Sequence, residues 1–182
     1  MKNSKVTALL FIVIMIFGSA AYVFIARSPA EDYPVPPVSL TIDDLQRVYK
    51  GPVGSKMSGS IKIHSSPEGF PLENGEGVQF MITYEESRVL VIVFFMRFDS
   101  EADAKRTANK ILAYIGNFSE KYESWSYANK SKLMYAKFEY SDMISEMWSS
   151  KNWVIEVVIG KAGRVGEEIL KDVKASINEL PG

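Results

Sequence analysis

The sequence contains no cysteine, and its only histidine is His64. Without cysteine the chain has no disulfides, no thiol nucleophile, no thiolate metal site and no site for acylation at a cysteine. A single histidine excludes a metal site built on two histidines. Recognisable catalytic and cofactor-binding motifs are missing as well. We therefore expect no metal site, no cofactor and no catalytic residue.

The chain also lacks an excess of positive charge, with a formal net charge of −1 at pH 7. Residues 1–27 hold three basic residues and no acidic one, so 18 basic residues face 22 acidic ones in the remainder. Nucleic-acid binding and polybasic attachment to anionic lipid both need a basic surface. We therefore expect no nucleic-acid partner.

One long apolar run stands out at residues 6–26, which contain no charged side chain. At about 1.5 Å of rise per residue, a helix of this length crosses a hydrocarbon core of roughly 30 Å. The run predicts a transmembrane signal-anchor helix at 6–26 after a cytoplasmic n-region at 1–5, with the lipid bilayer as partner. A cleaved signal peptide is the alternative, because small residues at 18–21 offer a cleavage site.

The charges on either side of this run predict its orientation. Lys2 and Lys5 precede it with the terminal amine, whereas Arg27 is followed closely by Glu31 and Asp32. Cytoplasmic flanks carry the excess of lysine and arginine. We therefore expect a single-pass protein of the cell membrane with a cytoplasmic N-terminus and an extracytoplasmic C-terminal domain.

Prolines and glycines divide the rest of the chain. Residues 27–40 contain four prolines, which favour an extended backbone and predict a stalk. The extracytoplasmic domain is then predicted at 41–180. Within it, residues 51–77 are rich in glycine and proline and read as loops around an edge strand near 60–63.

Hydrophobic periodicity predicts the fold of this domain. Strands are expected at 78–84, 89–98, 133–140, 143–148 and 153–159, and helices near 100–116 and 165–177. Strands grouped in hairpins between helices indicate an antiparallel sheet. The sequence therefore predicts an α+β, two-layer domain in β-β-α-β-β-β-α order, with its two main helices packed on one face of the sheet.

Aromatic residues are the candidate partner-binding side chains, namely Trp125, Tyr127 and Trp148. Such rings on a surface can grip a peptide or a partner protein, although packing in the core is the commoner use of tryptophan. Trp148 and Trp153 flank a predicted four-residue hairpin loop and would face each other on one side of the sheet. We expect Trp153 to be buried and Trp148 to lie nearer the rim.

Asn117 and Asn129 begin two glycosylation sequons in the segment after the first long helix. About one such sequon is expected by chance in a chain with this asparagine content. Both asparagines therefore remain candidate glycosylation sites on an outward-facing loop.

Three functions are compatible with this sequence. A non-catalytic binding module that contacts a partner protein of the envelope agrees best with the missing catalytic motifs. The first alternative is a small membrane-tethered hydrolase that uses His64 and neighbouring serines of the 51–77 loop, although no G-x-S-x-G motif supports it. The second is a structural spacer or an assembly subunit.

Overall fold

The computed structural model describes residues 33–130 and 133–182, without the side chains of residues 119, 125, 129 and 130. The predicted anchor at 6–26 and the first part of the predicted stalk lie outside these residues. Of the helices within the described part of the chain, none is long and apolar enough to cross a bilayer.

The described chain forms three α-helices and seven strands. In order they are α1 (Ile42–Val48), β1 (Ser55–Ile63), β2 (Gly75–Tyr84), β3 (Val89–Phe98), α2 (Glu101–Gly116), β4 (Ser124–Lys130), β5 (Leu133–Tyr140), β6 (Met143–Ser150), β7 (Trp153–Ile159) and α3 (Gly163–Asn178). A single 3₁₀ turn, Ser119–Lys121, connects α2 to β4.

All seven strands join one antiparallel sheet in the order β1-β2-β3-β7-β6-β5-β4. Pairing of β3 with β7 joins the two halves at the centre, where Val93 lies opposite Val157. The predicted α+β class and the antiparallel sheet are therefore confirmed. The structure adds β4, where a polar loop was expected, and extends β1 towards its N-terminal end.

Helices cover both faces of this sheet. On the first face, α1 and α3 pack against a core that includes Phe95 and Ile155. On the second face, α2 packs against Met96 and Val154. Met96 directly follows Phe95 in β3, and Val154 directly precedes Ile155 in β7, so the side chains of each neighbouring pair lie on opposite faces. The prediction of two layers with both main helices on one face is therefore wrong. Apart from Arg97 and Glu156, strands β3 and β7 are apolar on both sides, as strands covered on both faces are.

Residues 33–40, assigned to the stalk from their prolines, belong to the same compact unit as the domain, Tyr33–Gly182. Tyr33, Val35 and Leu40 are partly buried against the first-face core. The indole Nε1 of Trp148 donates a hydrogen bond of 2.8 Å to the carbonyl oxygen of Pro34. Proline favours an extended backbone, and here that extended segment lies against the sheet.

The tryptophan hairpin differs from its prediction in register. Strand β6 continues to Ser150, which pairs with Trp153, so that Trp148 lies opposite Ile155. Both indoles are on the first face, as expected, and Trp153 is buried. Trp148 is fully buried as well, so the prediction that it lies near the rim is wrong. Strand β6 extends beyond Trp148, and the carbonyl oxygen of Pro34 accepts the hydrogen bond of its indole N–H.

Candidate functional site

The three aromatic candidates do not form one surface. Tyr127 is 65% exposed on β4, at the edge of the sheet, whereas Trp148 is fully buried. The side chain of Trp125 is outside the described part of the structure. The proposal that Trp148 contributes to a binding surface is therefore corrected: its indole is part of the first-face core.

The other sequence candidates lie on separate elements. Asn117 is exposed directly after α2, and the backbone of Asn129 belongs to β4. His64 is exposed at the end of β1, and the hydroxyl of Ser66 accepts a hydrogen bond from the backbone N–H of Phe70 at 3.3 Å. The Ser66 hydroxyl thus helps to close the turn at 66–70.

A band of uncharged side chains crosses the second face of the sheet where α2 does not cover it. Adjacent strands place Met81 beside Ile92, Ile92 beside Val158, and Val158 beside Ser145. The next row contains Thr83, Leu90, Met143 and Tyr140. We call the band formed by Met81, Leu90, Ile92, Tyr140 and Met143 the open strip.

The exposure of the open strip is high for large apolar side chains. Met81, Leu90, Tyr140 and Met143 are between 39% and 47% exposed. The buried residues of α2 pack instead against Met96, Val154 and other residues nearer the opposite ends of the strands. This half of the face therefore presents an apolar surface to solvent.

Two carboxyl groups meet one row away from the open strip. Glu156 of β7 is 3% exposed on the second face, and its Oε1 accepts a hydrogen bond of 3.1 Å from Ser145 Oγ. The carboxyl of Glu68, from the loop at 64–72, is within hydrogen-bonding reach of Glu156. If both groups are ionised, the Oε2 atom of each has no hydrogen-bond donor among the described residues. We call Glu68 and Glu156 the carboxyl pair.

Burial raises the pKa of Glu156 well above its ordinary value, and the negative charge of Glu68 raises it further. The hydrogen bond from Ser145 opposes this shift by stabilising the carboxylate. The pKa of Tyr122 is also raised, first by burial and then by the charges of nearby groups that include both glutamates. The carboxyl pair can therefore hold a proton at a pH at which exposed glutamates are ionised.

The first face contains another buried glutamate in a contrasting environment. Glu146 accepts a hydrogen bond of 2.9 Å from the ammonium of Lys174. That ammonium lies 4.7 Å from the ring centroid of Tyr33 and 5.5 Å from that of Trp148. A cation thus balances the charge of Glu146, and aromatic faces add favourable cation–π contacts.

The surface near the C-terminus of α3 contains a shallow hollow of about 140 Å³. It is lined by Pro52, Val53, Asp172, Ala175, Ser176 and Glu179. The Ser176 hydroxyl lies 3.1 Å from the hydroxyl of Tyr49, which connects the hollow to the first-face core. Within the described residues, acidic and histidine side chains form no group of three or more that could hold a metal ion.

Comparisons with known proteins identify a fold and no family. No family model and no curated protein matches the sequence. The structure is similar to one described as a GTP binding regulator from Thermotoga maritima, with 16% sequence identity and a TM-score of 0.56, covering 81% of this chain and 95% of that one. The likeness is one of fold alone.

A second solved structure, the extracellular domain of PknH from Mycobacterium tuberculosis, matches less closely. Its TM-score is 0.42 at 10% identity, and the match covers 78% of this chain and 93% of that one. A similarity at this level supports no argument about function.

Proposed function

We propose that this chain is a single-pass membrane protein whose extracytoplasmic α+β domain is a non-catalytic binding module. Its partner in this proposal is a protein of the envelope, and its contact surface is the open strip. The observation that carries the proposal is the exposure of Met81, Leu90, Tyr140 and Met143 in one apolar band on the second face of the sheet.

The composition of the open strip supports a protein partner. Methionine and aromatic residues are enriched in protein interfaces, whereas charged residues are depleted at their centres. Contiguous exposed apolar surface is uncommon on monomeric domains and marks interaction sites. The strip crosses five strands from β2 to β5, or roughly 19 Å at the usual strand spacing. These features favour an apolar protein segment over a charged ligand.

The N-terminal sequence supports the location proposed for the module. The uncharged run at 6–26 is long enough for a membrane span, and the lysines before it favour a cytoplasmic N-terminus. N-terminal sequencing of the protein from its own membrane tests this part of the proposal. A retained Met-Lys start is expected, and a chain beginning near residue 21 or 22 would contradict the anchor.

Photo-crosslinking in intact cells tests the binding surface. A photoreactive residue is placed at Leu90 or at Met143. The control position is Val53, which is 92% exposed and lies outside the open strip. We expect the same envelope protein to be captured from both strip positions and not from Val53. Equal capture at all three positions would contradict the proposal, and capture of a second copy of this chain alone would replace the partner by self-association.

A further inference from the structure

We infer that the carboxyl pair is a proton-binding site that fastens the 64–72 loop to the second face of the sheet. The proton is held between Glu68, on the loop, and Glu156, on the central strand β7. This inference goes beyond the proposed function and does not require the open strip to bind a partner.

The loop is built so that Glu68 lies at its tip. Backbone hydrogen bonds run from Ser66 N–H to the carbonyl oxygen of Phe70 at 2.8 Å and from Leu72 N–H to that of His64 at 3.0 Å. Leu72 and Phe70 pack against the second-face core, and the Phe70 ring meets Tyr114 of α2 edge-on at 5.7 Å. Glu68 therefore reaches the sheet from a segment already folded over it.

The need for a proton follows from the hydrogen-bonding groups. Ionised carboxylates only accept hydrogen bonds, and the buried Oε2 atoms of Glu68 and Glu156 have no donor among the described residues. A proton on one of them supplies that donor and removes one of the two negative charges. Two carboxylates that share one site cannot both ionise easily, so one of them keeps its proton to a higher pH.

The surrounding elements provide no described cation that would replace this proton. Tyr122 lies near both carboxyl groups of the pair, and Tyr114 of α2 lies near Tyr122. The ammonium of Lys110, on α2, lies 3.4 Å from the carboxyl of Glu73, which is outside the pair. The residues that α2 buries are uncharged: Ala104, Thr107, Ala108, Ile111 and Ile115.

Loss of the proton acts on the loop because the two partners differ in mobility. Glu156 is held in a strand with neighbours on both sides, opposite Phe94 and Met147. Glu68 precedes Gly69, whose φ of +89° marks a turn, and its side chain is only partly buried. Repulsion between two carboxylates therefore displaces Glu68, and the loop with Phe70 moves away from Tyr114 of α2.

Spin-label mobility on the full chain in detergent tests this inference. Because the protein has no cysteine, Pro67→Cys in the exposed part of the loop gives a single labelling site. We expect the mobile fraction of the label to increase between pH 4 and pH 9, with a midpoint above the ordinary glutamate value of 4.5. A label at Ser87, in the exposed β2–β3 turn, should show no such transition.

Three variants separate the proton from other causes. Glu156→Gln supplies an amide donor to Glu68 without a charge, and Glu68→Gln does the same from the loop side, so both should keep the loop immobile at pH 9. Glu73→Gln removes a neighbouring carboxylate outside the pair and should retain the pH transition. The inference is wrong if the wild-type label shows no transition, or if both pair variants retain it. Recovery of the immobile state by calcium chloride at pH 9 would instead identify a cation site and also overturn it.

Discussion

Replacing Trp148 by phenylalanine should destabilise the domain more than the same replacement at Trp153. Both indoles are fully buried on the first face, so each substitution removes a similar volume from the same core. They differ in the indole N–H. That of Trp148 donates to the carbonyl oxygen of Pro34 at 2.8 Å, whereas Nε1 of Trp153 has no partner among the described residues.

The expected difference follows from this hydrogen bond. Trp148→Phe leaves the buried carbonyl of Pro34 without its donor, which costs about 1–3 kcal/mol. Trp153→Phe removes an N–H that makes no hydrogen bond, so the corresponding cost is absent. Weaker attraction of the Lys174 ammonium to a phenylalanine ring adds to the loss at position 148.

The assay is urea unfolding of residues 28–182, followed by circular dichroism, for the wild type and the two variants. We expect the free energy of unfolding of Trp148→Phe to lie about 1–3 kcal/mol below that of Trp153→Phe. Equal free energies, or a more damaging change at Trp153, would refute the packing of residues 33–40 against the sheet.

Residues 28–182 should form a cooperative domain without the apolar run, seen as coincident melting by fluorescence and circular dichroism, because each face of the sheet has its own buried core. Folding raises the pKa of Glu156, so protonated Glu156 favours the folded state. This contribution to the free energy of unfolding is complete below pH 4.5 and is lost as the pH rises through the raised pKa. Glu156→Gln should remove that pH dependence from the measured free energy of unfolding. Gly166→Ala places a Cβ on the carbonyl oxygen of Lys161 and should cost about 1–3 kcal/mol in urea unfolding, whereas Gly116→Ala meets nothing within 4 Å and should be neutral or stabilising.

The sequence predicts the central strands well because their patterns are local. The run at 89–98 is almost continuously apolar, and it forms β3 at the centre of the sheet. The helix at Glu101–Gly116 is likewise indicated by its spacing and by the Ser100 cap, whose side chain accepts from the N–H of Asp103. Such signals lie within the element that they describe.

The side of the sheet on which each helix lies could not be predicted in this way. Strand β3 is apolar on both faces, so its sequence does not distinguish the face that α2 covers from the face that α3 covers. Strand β4 has a polar sequence, and its strand conformation depends on pairing with β5, a tertiary contact.

The candidate site was missed because it is formed by residues far apart in the sequence. In the sequence, Glu156 is visible only as a single charge within an apolar strand. Its partner Glu68 comes from a loop whose position over the sheet is set by Phe70 and Leu72. The open strip depends on where α2 ends relative to β2, β3 and β6, which periodicity does not give.

The binding role of the open strip can be tested most directly with a matched pair of aspartate variants in the full-length protein. Leu90 is 46% exposed within the strip, and Val53 is 92% exposed outside it. The measurement is the affinity of each variant for the envelope protein captured from Leu90 and Met143, with unfolding midpoints as the control for folding. We expect Leu90→Asp to weaken binding at least tenfold, or about 1.4 kcal/mol, and Val53→Asp to bind as the wild type does. Unchanged affinity in a folded Leu90→Asp protein would contradict this expectation.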